Sequence, residues 1–124
     1  MKSIHIDPTH SSPEVTFDFS EKKLTIKGIC TPENPKLFFE PIIEAFEEYQ
    51  KQYKELTIDI FLDYFNTGSS KCLLNLFMKA STNPEIKINT IVNWIVDSED
   101  SELKESGIIF EEITGLKFKY SCQN

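Results

Sequence analysis

The sequence predicts a single α/β domain with a mixed sheet of four to five strands. An early pair of stretches alternates apolar and polar residues, which is typical of a β-hairpin. The later stretches alternate between strand-like and helix-like apolar spacing, which favours parallel strands joined by helices. Hydrophobic residues make up 40% and aromatic residues 12% of the 124 residues, which suits a packed core. Since no repeat or linker interrupts the pattern, residues 1–124 are expected to form one domain.

The chain begins with residues 1–13, which are expected to form an extended arm or a short edge strand because prolines break them twice. This arm carries His5, His10 and Asp7, which we interpret as part of a polar arm and not as metal ligands, since no further ligand lies nearby. The stretches 15–19 and 24–29, separated by a polar turn, predict an antiparallel hairpin.

A helix is predicted next, after Asn34-Pro35, where asparagine is a good N-cap and proline suits the first helical position. Pro41 inside the pattern predicts a kink or a second helix start. Residues 56–62 suit a central strand, and residues 72–80 suit a helix that ends at Asn83-Pro84.

The last third of the chain predicts a strand and a final helix, which completes the order β-β-α-β-α-β-α. Residues 86–96 are almost continuously apolar, which is typical of a strand covered on both faces. The helix is expected to begin at Asp97-Ser98, with Glu99, Asp100 and Glu102 in its first turn, and to end at Gly115. Its core-facing residues are predicted to be Leu103, Ile108, Ile109, Phe110 and Ile113. Residues 116–120 could add a short terminal strand.

Composition excludes several classes of partner. The net charge is −7 and all thirteen positive charges are lysines, so nucleic acid is not an expected partner. Cys30, Cys72 and Cys122 are far apart, which predicts neither a zinc site nor a disulfide framework. No apolar run reaches about 18 residues and the N-terminus lacks a signal-peptide core, so we expect a cytoplasmic protein without membrane contact. No cofactor is expected either.

The most informative stretch runs from Asp63 to Lys71, where a strand, a polar turn and a helix start follow one another. Such a turn presents backbone N–H groups and a positive helix end to an anion. A hydroxyl there can cap the helix, contact a phosphate or become phosphorylated. Thr67 is the natural N-cap candidate, although Ser69 or Ser70 could also cap, and Thr67 is equally a candidate phosphoacceptor. Tyr64 and Phe65 suit either exposed anchors for a partner or core residues.

Enzymatic interpretations find less support. Beyond His10 there is no histidine for a nucleophile–base pair, and glycine-rich phosphate motifs are absent. Asp59 and Asp63 could act as paired carboxylates of a hydrolase, since they are four residues apart on one strand. A small phosphate- or nucleotide-binding enzyme that uses the Asp63–Lys71 turn is the remaining alternative.

Three groups of residues resemble the SiaC-type regulatory phosphoprotein family of bacteria, over nearly the whole chain. They are Ser12-Pro13-x-Val15-x-Phe17-Asp18 with Gly28, Pro32-Glu33-Asn34, Phe38, Phe39 and Pro41; Tyr64-Phe65-Asn66-Thr67-x-Ser69-Ser70-Lys71; and Trp94, Asp97, Asp100 and Gly107. The resemblance implies a fold like that of STAS-type anti-sigma-factor antagonists.

The resemblance also implies a non-enzymatic partner switch without catalytic residues. A dedicated kinase would phosphorylate Thr67, a PP2C-like phosphatase would remove the phosphate, and the unmodified form would bind an output protein. In the family that output is a diguanylate cyclase that controls biofilm formation. Gly68 departs from the pattern, which has serine there. The expected partner-binding residues are those of the turn and helix start: Asp63, Tyr64, Phe65, Asn66, Gly68, Ser69, Ser70 and Lys71.

Overall fold

The computed structural model describes residues 3–97 and 101–123, which form one sheet and one layer of helices. The strands are β1 (Ile4–Ile6), β2 (Glu14–Asp18), β3 (Lys23–Cys30), β4 (Leu56–Phe65), β5 (Thr90–Val96) and β6 (Lys117–Cys122). The helices are α1 (Pro35–Tyr49), α2 (Thr67–Thr82), α3 (Pro84–Ile88) and α4 (Ser101–Thr114).

The sheet has the strand order β1-β2-β3-β4-β5-β6. β1, β2 and β3 pair antiparallel, whereas β3 to β6 pair parallel, so the sheet is mixed. Each parallel strand lies next to the one before it, and right-handed crossovers then place all connecting helices on the same face. The strands agree with this, because their buried and half-exposed residues alternate. One face of the sheet is therefore covered by helices and the other is open.

The core between sheet and helices is rich in aromatic side chains. Phe17, Phe19 and Tyr49 form one cluster with ring centroids 4.8–5.1 Å apart. At the other end of the sheet, Trp94 lies edge-on to Phe110 at 5.7 Å, and its indole N–H donates to the carbonyl of Leu103, 2.8 Å away. The indole thereby fixes α4 against β5.

The predicted hairpin, the α/β alternation and the single domain are confirmed, but the sheet has six strands instead of four to five. The arm contributes β1 as an edge strand, in which Ile4 pairs with Phe17. The terminal strand is β6, which pairs parallel with β5. Both extra strands are short and lie at the sheet edges, where sequence periodicity is weakest.

The prediction for residues 86–96 is wrong in two respects. Residues 84–88 form the short helix α3, which starts at Pro84 with Asn83 as N-cap, and β5 begins only at Thr90. In addition, β5 is covered on one face only, because Ile91 and Ile95 are half-exposed on the open face. The sequence of β5 is almost continuously apolar because apolar residues occupy the open face of the strand as well as its buried face.

The helices α1 and α4 each test one prediction. α1 is one continuous helix with Pro41 inside it, and so has no second start. In α4, Phe110 is buried, but Ile108, Ile109 and Ile113 are 37%, 52% and 53% exposed, so their predicted core positions are wrong. The predicted helix start at Asp97-Ser98, with Glu99 and Asp100, lies partly outside the described residues. Within the described ranges, no helix is long and apolar enough to cross a membrane.

Candidate functional site

The predicted turn begins with a β-bulge at the end of β4. Gly28 pairs with Leu62, but the next residue of β3, Ile29, pairs with Tyr64, so Asp63 is one residue extra. Gly28 has φ +121°, a conformation that glycine adopts without strain. The bulge reverses the alternation of side chains that follows it. Tyr64 is therefore 60% exposed on the open face.

Phe65 is turned by the same bulge to the helix side of the sheet. Its ring lies edge-on to Trp94 at 6.2 Å and tilted to Phe110 at 6.4 Å. Of the two predicted aromatic anchors, only Tyr64 is available to a partner, because Phe65 is partly buried and packs against the core.

The helix start is capped by Asn66, so the prediction of Thr67 as N-cap is wrong. The Asn66 side-chain oxygen accepts from the backbone N–H of Ser69 at 2.9 Å, and its backbone carbonyl accepts from Ser70 N–H at 2.9 Å. The backbone N–H of Asn66 donates to the Cys30 carbonyl at 3.2 Å, which ties the turn to β3. Asparagine in this extended conformation is a favourable cap.

Thr67 is the first residue of α2 and is exposed. Because Asn66 already performs the capping, the Thr67 hydroxyl is not needed for it, and it makes no hydrogen bond within residues 3–97 and 101–123. An exposed hydroxyl without a hydrogen bond at the positive end of a 16-residue helix is accessible to modification, and negative charge is favourable there.

The other two hydroxyls of the turn lie differently. Ser69 is fully buried, and its hydroxyl lacks a hydrogen-bond partner among the described residues, so it cannot contact a partner protein directly. The Cys30 thiol is its polar neighbour, and Ser69 acts to lower the pKa of that thiol against the larger, raising effect of burial. Ser70 is half-buried. Of the three hydroxyl-bearing residues, only Thr67 is exposed.

Gly68 brings the first turns of α1 and α2 together. A Cβ atom at position 68 would lie 2.9 Å from Cγ of Pro35, closer than such atoms normally approach. A groove of about 530 Å³ opens beside this contact between the two helix starts. It is lined by Glu33, Asn34, Pro35, Lys36, Gly68, Lys71, Cys72 and Asn75.

Two lysines line this groove, of which the sequence singled out only one. Lys71 and Lys36 are both exposed, and neither forms an ion pair with a described residue. Lys71 lies one helical turn after Thr67, on the same side of α2. Lys36 could not be identified from the sequence, because nothing in a linear pattern shows that α1 and α2 start side by side.

The thiols near the turn are poor candidates for nucleophilic catalysis. Burial raises the pKa of Cys30 and also that of Cys72, where the charge of Lys36 acts in the opposite direction. Both therefore remain protonated at neutral pH, whereas a nucleophilic cysteine reacts as its thiolate.

The carboxylates proposed for a hydrolase are not organised as a pair. Asp59 accepts from Asn93 at 2.7 Å and lies 3.1 Å from the Lys23 ammonium. Asp63 is the exposed bulge residue. No cluster that could hold a metal ion occurs in the described part of the chain.

Comparisons with known proteins point in one direction. A sequence model of the SiaC family, described as regulatory phosphoproteins, matches residues 6–122. The chain superimposes on the structure of SiaC of Pseudomonas aeruginosa with a TM-score of 0.85 and 26% identity, covering 99% of this chain and 100% of that one.

Two further relatives are from the same species. A complex described as diguanylate cyclase SiaD with its activator SiaC contains a chain that matches with a TM-score of 0.86 and 23% identity, which shows a shared fold. It covers 97% of this chain and 99% of that chain. An uncharacterized protein of Pseudomonas aeruginosa strain UCBPP-PA14 is 24% identical over 119 residues, 95% of this chain and 94% of its own length.

These matches extend over nearly the whole length of the chain and of the proteins that it matches. The family is one of regulators and not of enzymes, which removes the support for a small phosphate- or nucleotide-binding enzyme. The chain belongs to the SiaC family of regulatory phosphoproteins.

Proposed function

We propose that this protein is a partner switch whose state is set by phosphorylation of Thr67. In the unmodified state it binds and activates an output protein, a diguanylate cyclase such as SiaD, which a relative is named as activating. A cognate kinase adds the phosphate and a PP2C-like phosphatase removes it. The likeness to STAS-type antagonists, implied by the sequence resemblance, is part of the same proposal.

The observation that carries this proposal is the division of roles between Asn66 and Thr67. Asn66 caps α2 through its bond to Ser69 N–H, and Thr67 keeps a free hydroxyl on the surface. Modification of Thr67 therefore breaks no hydrogen bond of the fold. A phosphorylated threonine at the start of a helix leaves the domain folded and changes only its surface.

The surroundings of Thr67 can tolerate the added charge. A phosphate brings about −1.5 to −2 charges and three acceptor oxygens. The helix start is positive, and the unpaired ammonium of Lys71 lies one turn away. The outward surface of the turn would nevertheless change from neutral to strongly negative, and this change of sign is what a partner would detect.

Intact-mass measurement after incubation with the cognate kinase and ATP tests the modification. We expect the mass of one phosphate group on the wild-type chain and on Ser70→Ala, and none on Thr67→Ala. Thr67→Ser should restore the acceptor. An undiminished phosphate on Thr67→Ala would refute the assignment.

Binding to the cyclase tests the switch itself. We expect wild-type and Thr67→Ala chains to bind equally, because the hydroxyl makes no contact that the unmodified fold needs. Thr67→Glu and the phosphorylated chain should bind more weakly. If phosphorylated and unmodified chains bound the cyclase equally, Thr67 would not control the partner.

A further inference from the structure

The starts of α1 and α2 form the two walls of the groove beside Thr67. Pro35 of α1 packs directly on Gly68 of α2, because a Cβ atom at position 68 would lie only 2.9 Å from Pro35 Cγ. Lys36 is the residue after Pro35, Thr67 is the residue before Gly68, and consecutive Cα atoms are about 3.8 Å apart. The contact therefore brings Lys36 of one helix close to Thr67 of the other.

Lys71 faces the same groove from α2. It follows Thr67 by four residues, which places the two Cβ atoms about 5–6 Å apart on the helix surface. Across the groove, the charge of Lys36 is close enough to α2 to act on the Cys72 thiol, whose pKa it lowers against the larger, raising effect of burial. Thr67 thus lies beside a groove that has one lysine on each wall.

The two lysines are placed unfavourably for the helices that carry them. The positive start of a helix favours acidic side chains in its first turn, as Glu85 of α3 and Glu102 of α4 show. The first turns of α1 and α2 contain no acidic residue, and Lys36 lies in the first turn of α1. The positive charges of the helix starts and of the lysines therefore add to one another.

The far ends of the same two helices are arranged differently. There, Lys79 of α2 lies 3.2 Å from Glu47 of α1, so opposite charges face each other. At the helix starts a lysine faces a lysine, and neither Lys36 nor Lys71 is ion-paired anywhere in residues 3–97 and 101–123. Since like charges repel, a bound anion would stabilise this part of the groove.

Two acidic residues lie near the helix starts in the chain, and they do not cancel the positive charge. Glu33 lines the groove, is exposed and forms no ion pair with Lys36 or Lys71. Asp63 is the exposed bulge residue four positions before Thr67, and it does not line the groove. The lining therefore holds one carboxylate and two ammonium groups, which leaves it positive by one charge.

We infer that Lys36 of α1 and Lys71 of α2 together bind the phosphate of phosphorylated Thr67. This inference rests on the proposed function and adds the site that holds the phosphate. With about −1.5 to −2 charges and three acceptor oxygens, the phosphate accepts from both ammonium groups. Lys36 then links α1 to α2 in the phosphorylated state alone. The groove loses its positive charge as the turn becomes negative, so both changes that a partner meets have the same sign.

A chain with phosphothreonine introduced at position 67 during synthesis tests this contact without the kinase or the cyclase. Phosphorus NMR follows the second ionisation of the phosphate, which ordinarily has its midpoint near about pH 6. Neighbouring positive charge favours the doubly ionised form, so we expect a lower midpoint in the wild-type chain. Lys36→Gln and Lys71→Gln should each raise it, and Lys36→Arg should keep it low. The matched control Lys119→Gln removes an exposed charge from β6 and should leave the midpoint unchanged.

Thermal melting gives a second readout of the same contact. Phosphorylation should raise the Tm of the wild-type chain by about 2 °C at low salt and by less at high salt. Lys36→Gln should remove most of this gain from the phosphorylated chain. It should not lower the Tm of the unmodified chain, in which Lys36 forms no ion pair with the described residues.

Two results would overturn the inference. The first is an equal phosphate midpoint in the wild-type and Lys36→Gln chains, even if Lys71→Gln differed, because the phosphate would then contact α2 alone. The second is a Lys36-dependent stabilisation of Thr67→Ala by inorganic phosphate with no effect of Lys36 on the phosphothreonine, which would assign the groove to a separate anion. Failure of the cognate kinase to modify Thr67 is a different result. It would refute the proposed function, and with it the role of this site, whatever the midpoints show.

Discussion

Replacing Asn66 and Thr67 separately by alanine tests the division of roles at the start of α2. Asn66→Ala removes the acceptor for Ser69 N–H at 2.9 Å and a longer, 3.5 Å contact of its amide with the Pro32 carbonyl. Thr67→Ala removes a hydroxyl that bonds to none of the described residues. We therefore expect a clear loss of stability from the first change and almost none from the second.

The magnitude follows from the cost of losing a cap. An asparagine-to-alanine change at an N-cap costs about 1 kcal/mol, within a range of about 0.5–2. At about 2.1 cal/mol/K per residue, a domain of this length has an unfolding entropy of about 0.26 kcal/mol/K, so Tm should fall by about 4 °C. Thr67→Ala should stay within about 0.5 kcal/mol of wild type, because surface changes without lost bonds have small effects.

Urea unfolding monitored by circular dichroism, with thermal melts alongside, measures both values. Thr67→Ser serves as the control, because it keeps the hydroxyl and should leave stability unchanged. If Thr67→Ala lost as much stability as Asn66→Ala, the threonine would be the true cap. Its hydroxyl would then not be free, and the main support for phosphorylation at this residue would be lost.

Three further predictions concern the rest of the fold. Gly107→Ala places a Cβ atom 2.8 Å from the indole of Trp94 and should lower the free energy of unfolding by about 2 kcal/mol. Urea unfolding measures this loss, and an unchanged urea midpoint would show that α4 can shift to make room. Gly68→Ala should lower stability by about 1 kcal/mol, although alanine favours helices, because of the contact with α1; a gain in stability would contradict this. Burial raises the pKa of Tyr49 and Tyr120, so the folded state retains their protons longer than the unfolded state does. Their contribution to stability is present below about pH 10 and is lost as pH rises above it, which absorbance titration at high pH and unfolding at about pH 9 and 11 would check.

The order of elements could largely be predicted from the sequence, because it depends on local periodicity. Asn34-Pro35 marks the start of α1 as expected, and the alternating residues of β2 and β3 form the predicted hairpin. The failures occur where packing overrides the pattern. In α4, Ile109 and Ile113 look like core residues but are exposed, since Gly107 and Phe110 turn another side of the helix toward Trp94.

The candidate site shows the same limit at the scale of single residues. The sequence placed the turn between Asp63 and Lys71, and the structure confirms a strand, a turn and a helix there. It did not show which hydroxyl was free, because Thr67, Ser69 and Ser70 are chemically alike and differ only in burial. It also did not show the groove, which depends on α1 lying beside α2.

The sequence by itself determined the alternation of strands and helices, the excess of negative charge and a turn suited to an anion. These follow from local spacing and composition, which every segment carries on its own. The tertiary structure decided that Asn66 caps α2 and leaves Thr67 free, and that Tyr64 points outward. Each of these depends on how β3 pairs with β4 across the bulge at Asp63. Pairing between distant segments is set by the packing of the whole sheet, and no local pattern records it.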